Sequence, residues 1–300
     1  MQVETVGIFS TGEMGHRVAA VLRNNGLNVV TCLAGRSART AELAAKAGVS
    51  GLATPAEVVA LADMIISIVV PSAAQPLAET IATAIAAAKK NILYADANAI
   101  SPMTATAIEK IIIRAGGRFA DVCIIGTSAK VGQGTTFFAS GNCAAEFAEL
   151  SKFGLQIEIL GDRPGQASAY KIVYAGLTKG VSSLMLELLL LAHSLGILEP
   201  MLAQYRKKFP DLVRFAESNL PGLPFRAARR SDEMEELGLT IAAEGLTPVM
   251  APASRRLLAS LGGLNLRAEY SEAETEKWDV KSVISLLYPR LSRRVKKPKY

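Results

Sequence analysis

The chain has 300 residues, of which 50% are hydrophobic and 20% are charged, and its formal net charge is +6. This length is enough for two domains with a sizeable buried core, and the composition excludes a disordered or fibrous chain. Because Cys32, Cys123 and Cys143 are too few and too scattered for a disulfide framework or a zinc site, and residues 1–4 lack a signal-peptide pattern, we expect a globular protein of the cytoplasm.

The first half of the chain alternates short apolar runs with helical patterns, which is typical of βαβ units and a mainly parallel sheet. The predicted strands are, in chain order, Val3–Phe9, Asn28–Leu33, Met64–Val70, Asn91–Tyr94, Arg118–Ile124, Thr135–Ala139 and Gln156–Leu160. Between the early strands, Gly15–Asn25 and Ala38–Ala47 have helical spacing. The sequence therefore predicts an α/β fold, with a Rossmann-type doubly wound sheet over residues 1–164.

A glycine-containing turn follows the first predicted strand and leads directly into a helix. Its residues are Ser10, Thr11, Gly12, Glu13, Met14 and Gly15. Dinucleotide-binding domains use this strand–turn–helix order, in which Gly12 would let the backbone approach the pyrophosphate and Gly15 would allow close packing of helix on strand. Ser10 replaces the first glycine of the usual G-x-G-x-x-G pattern, so a tight turn without a ligand is the alternative.

The second predicted strand is followed by the segment Arg36-Ser37-Ala38-Arg39-Thr40. An NAD site normally has an acidic side chain here, which binds the ribose 2′-hydroxyl, and this segment has none. Arg36 and Arg39 instead favour a 2′-phosphate, with the hydroxyls of Ser37 and Thr40 as further donors. We therefore predict NADP as the cofactor, and an N-cap role for Ser37 is compatible with this prediction.

Two further loops follow predicted strands at the sheet edge where doubly wound folds bind ligands. Val70 and Pro71 come at the end of one strand, and Asn98 and Ser101 come after the next. We expect Val70, Pro71 and Asn98 to contact the cofactor. The alternatives are a bare turn at Val70 and helix capping near Pro102.

Helix-forming residues dominate after Gly165, so residues 165–300 predict an all-α C-terminal domain. Its first helix covers about 166–195 without a proline and would be on the order of 45 Å long. We expect this helix to join the two domains and, because it is apolar on more than one side, to pack against a second subunit in a homodimer. Its most apolar part, Leu184–Leu191, contains Glu187 and is too short to span a membrane, which predicts a buried helix. Further helices are predicted at Leu198–Phe209, Pro224–Glu244 and Met250–Leu261.

Charged clusters follow in the C-terminal half. Arg226, Arg229 and Arg230 are either a solvated helix face or contacts to an anionic substrate, and the neighbouring glutamates Glu233, Glu235 and Glu236 predict a solvated face. A basic tail contains Arg290, Arg293, Arg294, Lys296, Lys297 and Lys299. No nucleic-acid motif accompanies this tail, so we expect no nucleic-acid partner and a small, anionic substrate.

Four segments of the chain carry a resemblance to the β-hydroxyacid dehydrogenase and 6-phosphogluconate dehydrogenase superfamily. In order, they are the turn from Ser10 to Gly15, Asp96 to Pro102, Asp121 to Thr127, and Gly165 to Lys171. The chain is most similar to a poorly characterised bacterial subgroup of 6-phosphogluconate dehydrogenase-like proteins with the same Gly-Glu-Met-Gly turn. The resemblance implies an NADP-dependent oxidoreductase that acts on the CH–OH group of a small hydroxy acid or on its carbonyl partner.

The resemblance also places Lys171 at the position of the family's general acid/base. Hydride transfer at a carbinol carbon requires a proton to move at its oxygen, and desolvation tunes a lysine for this task near neutrality. Tyr174 and Thr178 lie on the same helical face as Lys171, with Tyr174 as a second catalytic candidate. The family segment that holds the substrate carboxylate aligns with Ile125-Gly126-Thr127, which we expect to bind substrate together with Thr178.

Three departures from the family pattern bear on the substrate. Ala175 stands where the family has an asparagine, Ile125 stands where it has a serine, and the region Met234–Gly245 has no counterpart of a second family lysine. One alternative is an NADPH-dependent imine reductase-like enzyme, although that group usually has aspartate or tyrosine in place of Lys171. The other is an NADP-binding sensor without catalytic activity, suggested by the missing asparagine and serine.

Overall fold

The computed structural model describes residues 3–271, 274 and 277–292. The chain consists of two compact units, Met1–Ile172 and Val173–Tyr300. The division between them falls inside one long helix.

The first unit alternates strands with helices. Its strands are β1 (Thr5–Phe9), β2 (Asn28–Cys32), β3 (Ser50–Leu52), β4 (Met64–Ser67), β5 (Leu93–Asp96), β6 (Arg118–Ile125), β7 (Thr136–Ser140) and β8 (Gln156–Gly161). Its helices are α1 (Gly15–Asn24), α2 (Ala38–Lys46), α3 (Pro55–Leu61), α4 (Pro71–Ala88), α5 (Pro102–Arg114) and α6 (Ala144–Ala148). Short 3-10 helices cover Ser128–Lys130 and Glu149–Phe153.

The eight strands form one sheet in the order β3-β2-β1-β4-β5-β6-β7-β8. Neighbouring strands are parallel except β6 and β7, which pair antiparallel. The order of the first six strands, with its reversal between β1 and β4, is that of a dinucleotide-binding Rossmann domain. The predicted fold class is therefore confirmed, and the carboxyl ends of β1, β2, β4 and β5 meet at one edge of the sheet.

Helices cover both faces of this sheet, which explains why its central strands are almost continuously apolar. On one face Ile8 of β1 packs with Val18 and Leu22 of α1. On the other, Ile65 of β4 packs with Ile81 of α4. All of these side chains are fully buried.

Helix starts in the first unit follow simple capping chemistry. The hydroxyls of Ser37, Thr54 and Ser101 each accept a hydrogen bond from the backbone N–H three residues further on. Pro71 is the first residue of α4, and β4 ends at Ser67, so the predicted strand Met64–Val70 was three residues too long. A proline at this position starts a helix because its fixed φ suits the first turn and its missing N–H has no partner to lose there.

The second unit is helical. Helix α7 (Gln166–Ser194) begins in the first unit and continues into the second. It is followed by α8 (Leu198–Lys208), α9 (Pro210–Asn219), α10 (Leu223–Ala243), α11 (Met250–Gly262), a 3-10 turn at Leu266–Ala268 and α12 (Val280–Ser292). Every element that the structure describes after residue 165 is helical, so the predicted all-α character of the C-terminal part is confirmed.

The apolar stretch of α7 is only half buried. Leu186 and Leu189 lie in the core of the second unit, whereas Leu184, Leu188 and Leu191 are 49%, 37% and 54% exposed. The prediction that the whole stretch is buried was wrong, because only one face of the helix meets the core. Among the described helices, α7 alone is long and apolar enough to cross a membrane by length and composition, a test that core helices of soluble proteins also pass.

Only the first residue of the basic tail lies within the part of the chain that the structure describes. Arg290 donates to Glu269 in an ion pair with an N–O distance of 2.6 Å. Residues 293–300 lie outside the described residues.

Candidate active site

The turn after β1 is shaped by two glycines with different surroundings. A Cβ atom at Gly15 would collide with the carbonyl oxygen of Ser10, so only glycine fits where α1 meets the strand end. A Cβ atom at Gly12 would meet nothing closer than the Ser10 hydroxyl, 3.8 Å away. Gly15 is thus required by the protein itself, while the space beside Gly12 is open.

Three contacts hold this turn in place. His16 Nδ1 lies 2.7 Å from the carbonyl oxygen of Gly12, and the buried Thr11 hydroxyl donates to the carbonyl oxygen of Thr40 over 3.3 Å. The Ser128 hydroxyl donates to the exposed carboxylate of Glu13 over 3.3 Å. The predicted turn residue Met14 is half-buried at the start of α1. The turn after β1 is therefore tied to the first turn of α2 and to the 3-10 helix after β6.

A pocket opens between this turn and the end of β2. Ser10, Thr11, Arg36 and Thr40 contribute its polar lining, with Cys32 and Val69 among the other lining residues. No acidic side chain lines it among the described residues. Arg39 is exposed and is not part of the lining, and the Ser37 hydroxyl accepts from the backbone N–H of Thr40 as the cap of α2.

The loop after β4 is positioned by Asn98. The Asn98 side chain is buried; its Oδ1 accepts from the backbone N–H of Val69 over 2.6 Å, and its Nδ2 donates to the Ser67 hydroxyl over 2.9 Å. Val70 is 63% exposed at this sheet edge and Pro71 is exposed beside it. The side chain of Asn98 thus fixes the loop after β4 from inside the protein, whereas the side chain of Val70 is exposed to solvent at the sheet edge.

The segment after β6 brings the predicted substrate residues together with Lys171. The half-buried Lys171 lies in the second turn of α7, and its Nζ donates to the carbonyl oxygen of Ile124 over 2.6 Å. The carbonyl of Ile124 directly precedes the predicted substrate segment, Ile125-Gly126-Thr127. Gly126 has a φ of +138°, and a Cβ there would collide with Thr135, so this tight bend also requires glycine.

A buried carboxylate fixes the start of α7. Asp121 is fully buried and accepts from the Ser140 hydroxyl over 3.1 Å. It also accepts from Ser168, through the backbone N–H over 3.0 Å and the hydroxyl over 2.7 Å. Burial raises the pKa of the Asp121 carboxyl, although the hydrogen bonds from Ser168 and Ser140 oppose this shift.

Strand β6 therefore holds α7 at two points, Asp121 to Ser168 and Ile124 to Lys171. The two points are three residues apart along both the strand and the helix. Sequence reasoning singled out Asp121 and Ser168 only as members of two family segments and did not predict that they pair. The signal was present as a polar residue inside an apolar strand, since such a residue needs hydrogen-bond partners when buried.

A second buried carboxylate lies beside the first. Asp96 at the end of β5 pairs in register with Asp121 of β6, and both are fully buried. Asp96 Oδ1 accepts from the backbone N–H of Asn98 over 3.1 Å, while Oδ2 has no partner among the described residues. Burial raises the pKa of Asp96 to about 7.

Two predicted site residues belong to the second unit. Tyr174 is 48% exposed, and the Thr178 hydroxyl donates to the backbone carbonyl of Ala175 within α7 over 2.9 Å. They follow Lys171 by one and two helical turns.

The residues at the carboxyl edge of the sheet fit a dinucleotide. The open space at Gly12 is where a pyrophosphate approaches in such folds, next to the start of α1. Arg36 and Thr40 line the neighbouring pocket and would suit the adenosine end of a dinucleotide.

Comparison with known proteins assigns both halves of the chain. Residues 5–153 match the NAD binding domain of 6-phosphogluconate dehydrogenase, and residues 192–261 match a domain of unknown function, DUF1932. The first match covers most of the unit that carries the glycine turn. A domain that binds NAD(P) is therefore established for the N-terminal part of the chain.

Individual relatives extend along the whole molecule. A conserved protein of unknown function, whose structure was described as similar to 3-hydroxyacid dehydrogenases, is 34% identical, with a TM-score of 0.71 over 88% of this chain and 98% of that one. An uncharacterised 28.5 kDa protein of Methanothermus fervidus is 28% identical over 84% of this chain and 96% of its own length. The Mycobacterium tuberculosis 3-hydroxyisobutyrate dehydrogenase, solved with L-serine, is 19% identical, with a TM-score of 0.73 over 95% and 99% of the two chains, and shares the fold.

Proposed function

We propose that this chain, which belongs to the β-hydroxyacid dehydrogenase and 6-phosphogluconate dehydrogenase superfamily, is an NADP-dependent oxidoreductase. It would transfer a hydride between the nicotinamide and a small hydroxy acid or its carbonyl partner. The observation that carries this proposal is the position of the Lys171 side chain, whose Nζ is held at the end of β6 by the carbonyl oxygen of Ile124. The loop that follows this strand would offer backbone N–H groups to a bound substrate.

The preference for NADP over NAD is supported by the pocket at the end of β2. Arg36 lines this pocket with the hydroxyls of Thr11 and Thr40, and its described lining has no carboxylate. A guanidinium binds a 2′-phosphate through charge-assisted hydrogen bonds, whereas a ribose 2′-hydroxyl needs an acceptor. The chemistry of this pocket therefore favours the phosphorylated cofactor.

Lys171 is assigned the proton transfer. In the direction of reduction its ammonium donates a proton to the carbonyl oxygen of the substrate; in oxidation its neutral amine accepts the proton of the hydroxyl. The hydrogen bond to the Ile124 carbonyl oxygen orients Nζ, and the backbone of Gly126 and Thr127 offers N–H groups to the substrate carboxylate. The bound nicotinamide supplies or takes up the hydride.

Tyr174 is proposed as a second hydrogen-bonding group for the substrate, and Thr178 as a substrate contact. Both hydroxyl-bearing side chains follow Lys171 on α7, and Tyr174 is exposed. The family asparagine is absent at Ala175, and Tyr174, the polar residue that precedes it, would take over its hydrogen bond to the substrate.

The first experiment is a fluorescence titration of the full chain with NADPH and, separately, with NADH. We expect NADPH to bind at least tenfold more tightly, a difference of about 1.4 kcal/mol. Equal affinities would contradict the assignment of NADP, and binding of neither dinucleotide would contradict the enzyme assignment altogether.

The second experiment tests Lys171 with a panel of hydroxy acids and the corresponding keto acids. Lys171→Ala should retain NADPH affinity and lose turnover by about two to four orders of magnitude. Lys110→Ala, which removes an exposed lysine from α5, is the matched control and should behave as the wild type. Full turnover by Lys171→Ala would overturn the proton-transfer assignment.

A cytoplasmic homodimer is the proposed form of the protein. The free thiols of Cys32, Cys123 and Cys143 support a reducing compartment. Exposed apolar side chains form a stripe along one face of α7, at residues Val173, Leu177, Leu184, Leu188 and Leu191. Exposed stripes of this kind mark protein interfaces, so Leu184→Glu together with Leu191→Glu should convert the dimer to a monomer in light scattering.

A further inference from the structure

A histidine at the start of α1 holds one carbonyl group of the glycine turn. His16 lies in the first turn of the helix and is only 8% exposed. The carbonyl oxygen of Gly12 accepts from His16 twice, from the backbone N–H over 3.0 Å and from the ring Nδ1 over 2.7 Å. Because a carbonyl oxygen has two lone pairs, one residue occupies its whole hydrogen-bonding capacity.

This contact determines where the ring carries its hydrogen. A carbonyl oxygen can only accept, so Nδ1 of His16 must be protonated. The opposite orientation of the ring would place Cδ2 at the same 2.7 Å distance, which is too short for a carbon atom, since C–H···O contacts lie at about 3.3–3.6 Å. The neutral ring is therefore the Nδ1–H tautomer, with Nε2 as an acceptor.

The fixed carbonyl also fixes the N–H group that follows it. In a trans peptide the N–H of Glu13 lies on the side opposite to the carbonyl of Gly12, so the direction of one sets the direction of the other. The N–H groups of Gly12, Glu13 and Met14 donate to no residue that the structure describes. The turn thus has backbone donors available to a ligand, and His16 controls the direction of the one at Glu13.

The glycine itself makes such a restraint necessary. Gly12 has no Cβ atom that would keep a ligand away, but for the same reason its backbone dihedral angles are weakly restricted. The peptide between Gly12 and Glu13 could therefore rotate, and ordering it upon binding would reduce the affinity for a ligand. The side-chain contacts of Thr11 and Glu13 restrain the turn on either side, and His16 restrains it at Gly12.

We propose that His16 is a positioning residue for the cofactor, whose Nδ1–H holds the peptide between Gly12 and Glu13 so that the Glu13 N–H can donate to the pyrophosphate. This inference rests on the proposed function, because it requires a dinucleotide at the glycine turn. His16 would act through the backbone, without a contact of its own to the cofactor. Its effect would concern the pyrophosphate and leave the 2′-phosphate, which we assign to the pocket at the end of β2, unaffected.

Three substitutions separate the volume of the ring from its hydrogen bond. His16→Asn places an amide N–H at the position of Nδ1 and should bind NADPH within about twofold of the wild type. His16→Leu fills a similar volume without a donor and should weaken NADPH binding about tenfold, as the loss of one hydrogen bond does. His16→Gln, whose amide reaches the position of Nε2, should behave like His16→Leu. Fluorescence titration of the full chain measures these affinities.

A fragment of the cofactor shows which phosphate the histidine serves. Adenosine 2′-phosphate has no pyrophosphate, so all three variants should bind it as the wild type does. His193→Asn is the matched control, since it removes the other histidine of the chain, which packs against Tyr288, and should bind NADPH as the wild type does.

The ring hydrogen gives a second readout that needs no cofactor. The chain has two histidines, so the ring signals that are missing in His16→Asn assign those of His16. Nitrogen NMR spectra of the free wild type should show a hydrogen on Nδ1 of His16 at neutral pH. A hydrogen on Nε2 alone would overturn the proposal, because Nδ1 could not then donate to the Gly12 carbonyl.

The binding data distinguish this role from a structural one. Equal weakening of NADPH binding in His16→Asn and His16→Leu, or equal weakening of NADPH and adenosine 2′-phosphate in His16→Leu, would show that His16 only supports the fold. NADPH binding by His16→Leu at wild-type affinity would overturn the role of His16 and leave the proposed function intact. A wild type that binds no dinucleotide would overturn the proposed function and this inference together.

Discussion

Ser168 donates twice to the carboxylate of Asp121, through its backbone N–H over 3.0 Å and its hydroxyl over 2.7 Å. This pairing joins the first turn of α7 to the middle of β6. Ser168 precedes Lys171 by three residues in the helix, and Asp121 precedes Ile124 by three residues in the strand. The position of the Lys171 ammonium is therefore coupled to a buried carboxylate that does not itself reach the sheet edge.

Removal of the Ser168 hydroxyl should destabilise the protein. Ser168→Ala leaves a buried, hydrogen-bonded carboxylate short of one donor, and such bonds to charged groups contribute about 1.5–3 kcal/mol. Urea unfolding of the full chain measures the loss. The control is Ser183→Ala on the same helix, whose buried hydroxyl has no partner among the described residues and whose removal should leave stability unchanged or slightly raised. Equal losses in both variants would mean that the Asp121 pairing contributes nothing specific.

The two glycines of the turn after β1 should separate binding from folding. Gly12→Ala adds a methyl group to open space, so the melting temperature should stay within experimental error of the wild type while NADPH affinity falls at least tenfold. Gly15→Ala places a methyl group against the Ser10 carbonyl oxygen, and should lower both the melting temperature and the affinity. If Gly12→Ala binds NADPH as the wild type does, the pyrophosphate lies elsewhere.

Arg36 and Arg39 should differ in their effect on cofactor preference. Arg36 lines the pocket at the end of β2 and Arg39 does not, although both are exposed arginines of one short segment. Arg36→Gln should weaken NADPH about tenfold, with NADH affinity unchanged, because only the former has a 2′-phosphate. Arg39→Gln should change the NADPH affinity by less than about threefold. Side-by-side fluorescence titrations decide this, and the reverse ranking would assign phosphate recognition to Arg39.

Asp96 should make the stability of the protein fall as pH rises. The folded state retains the Asp96 proton up to about pH 7, whereas an unfolded aspartate releases it near pH 4. Across that interval the folded state binds more protons than the unfolded one. Increasing pH therefore lowers the free energy of unfolding by on the order of 4 kcal/mol. Above pH 7 both states are ionised and this contribution no longer changes.

Asp96→Asn tests this dependence, since asparagine keeps an oxygen acceptor for the Asn98 backbone N–H and cannot ionise. The stability advantage of the variant over the wild type should be about 3 kcal/mol larger at pH 8 than at pH 5, because about two pH units of the titration of Asp96 lie between them. Denaturant unfolding at the two pH values gives the difference. A difference that stays constant between pH 5 and pH 8 would show that Asp96 ionises normally in the folded state.

The sequence predicted most of the sheet because its strands are buried on both faces and therefore strongly apolar. β3 was missed, since Ser50-Gly51-Leu52 has no apolar pattern and lies at the sheet edge. Helix α4 was also missed: it begins at Pro71, contains Pro76 and is rich in alanine, so its polar and apolar faces contrast weakly. In both elements tertiary packing, and not local pattern, decides the structure.

The site was predictable where its parts are local. The glycine turn, the arginines after β2 and the cap at Ser37 are each defined by a few consecutive residues. The pairing of Asp121 with Ser168 joins residues 47 positions apart, and that of Lys179 with Glu233 joins two separate helices. No spacing rule connects such residues, because only the fold brings them together.

The segment from Arg36 to Arg39 has consequences for how readily this protein can change. It is exposed, and the side-chain contacts described for it are those of Ser37 at the start of α2. The turn that would hold the pyrophosphate, by contrast, requires glycine at Gly15, next to the carbonyl oxygen of Ser10. Substitutions at Arg36 therefore face little selection from folding. Under the proposed assignment of the 2′-phosphate to Arg36, a change at this segment would alter the preference between NADP and NAD while the rest of the domain stays as it is.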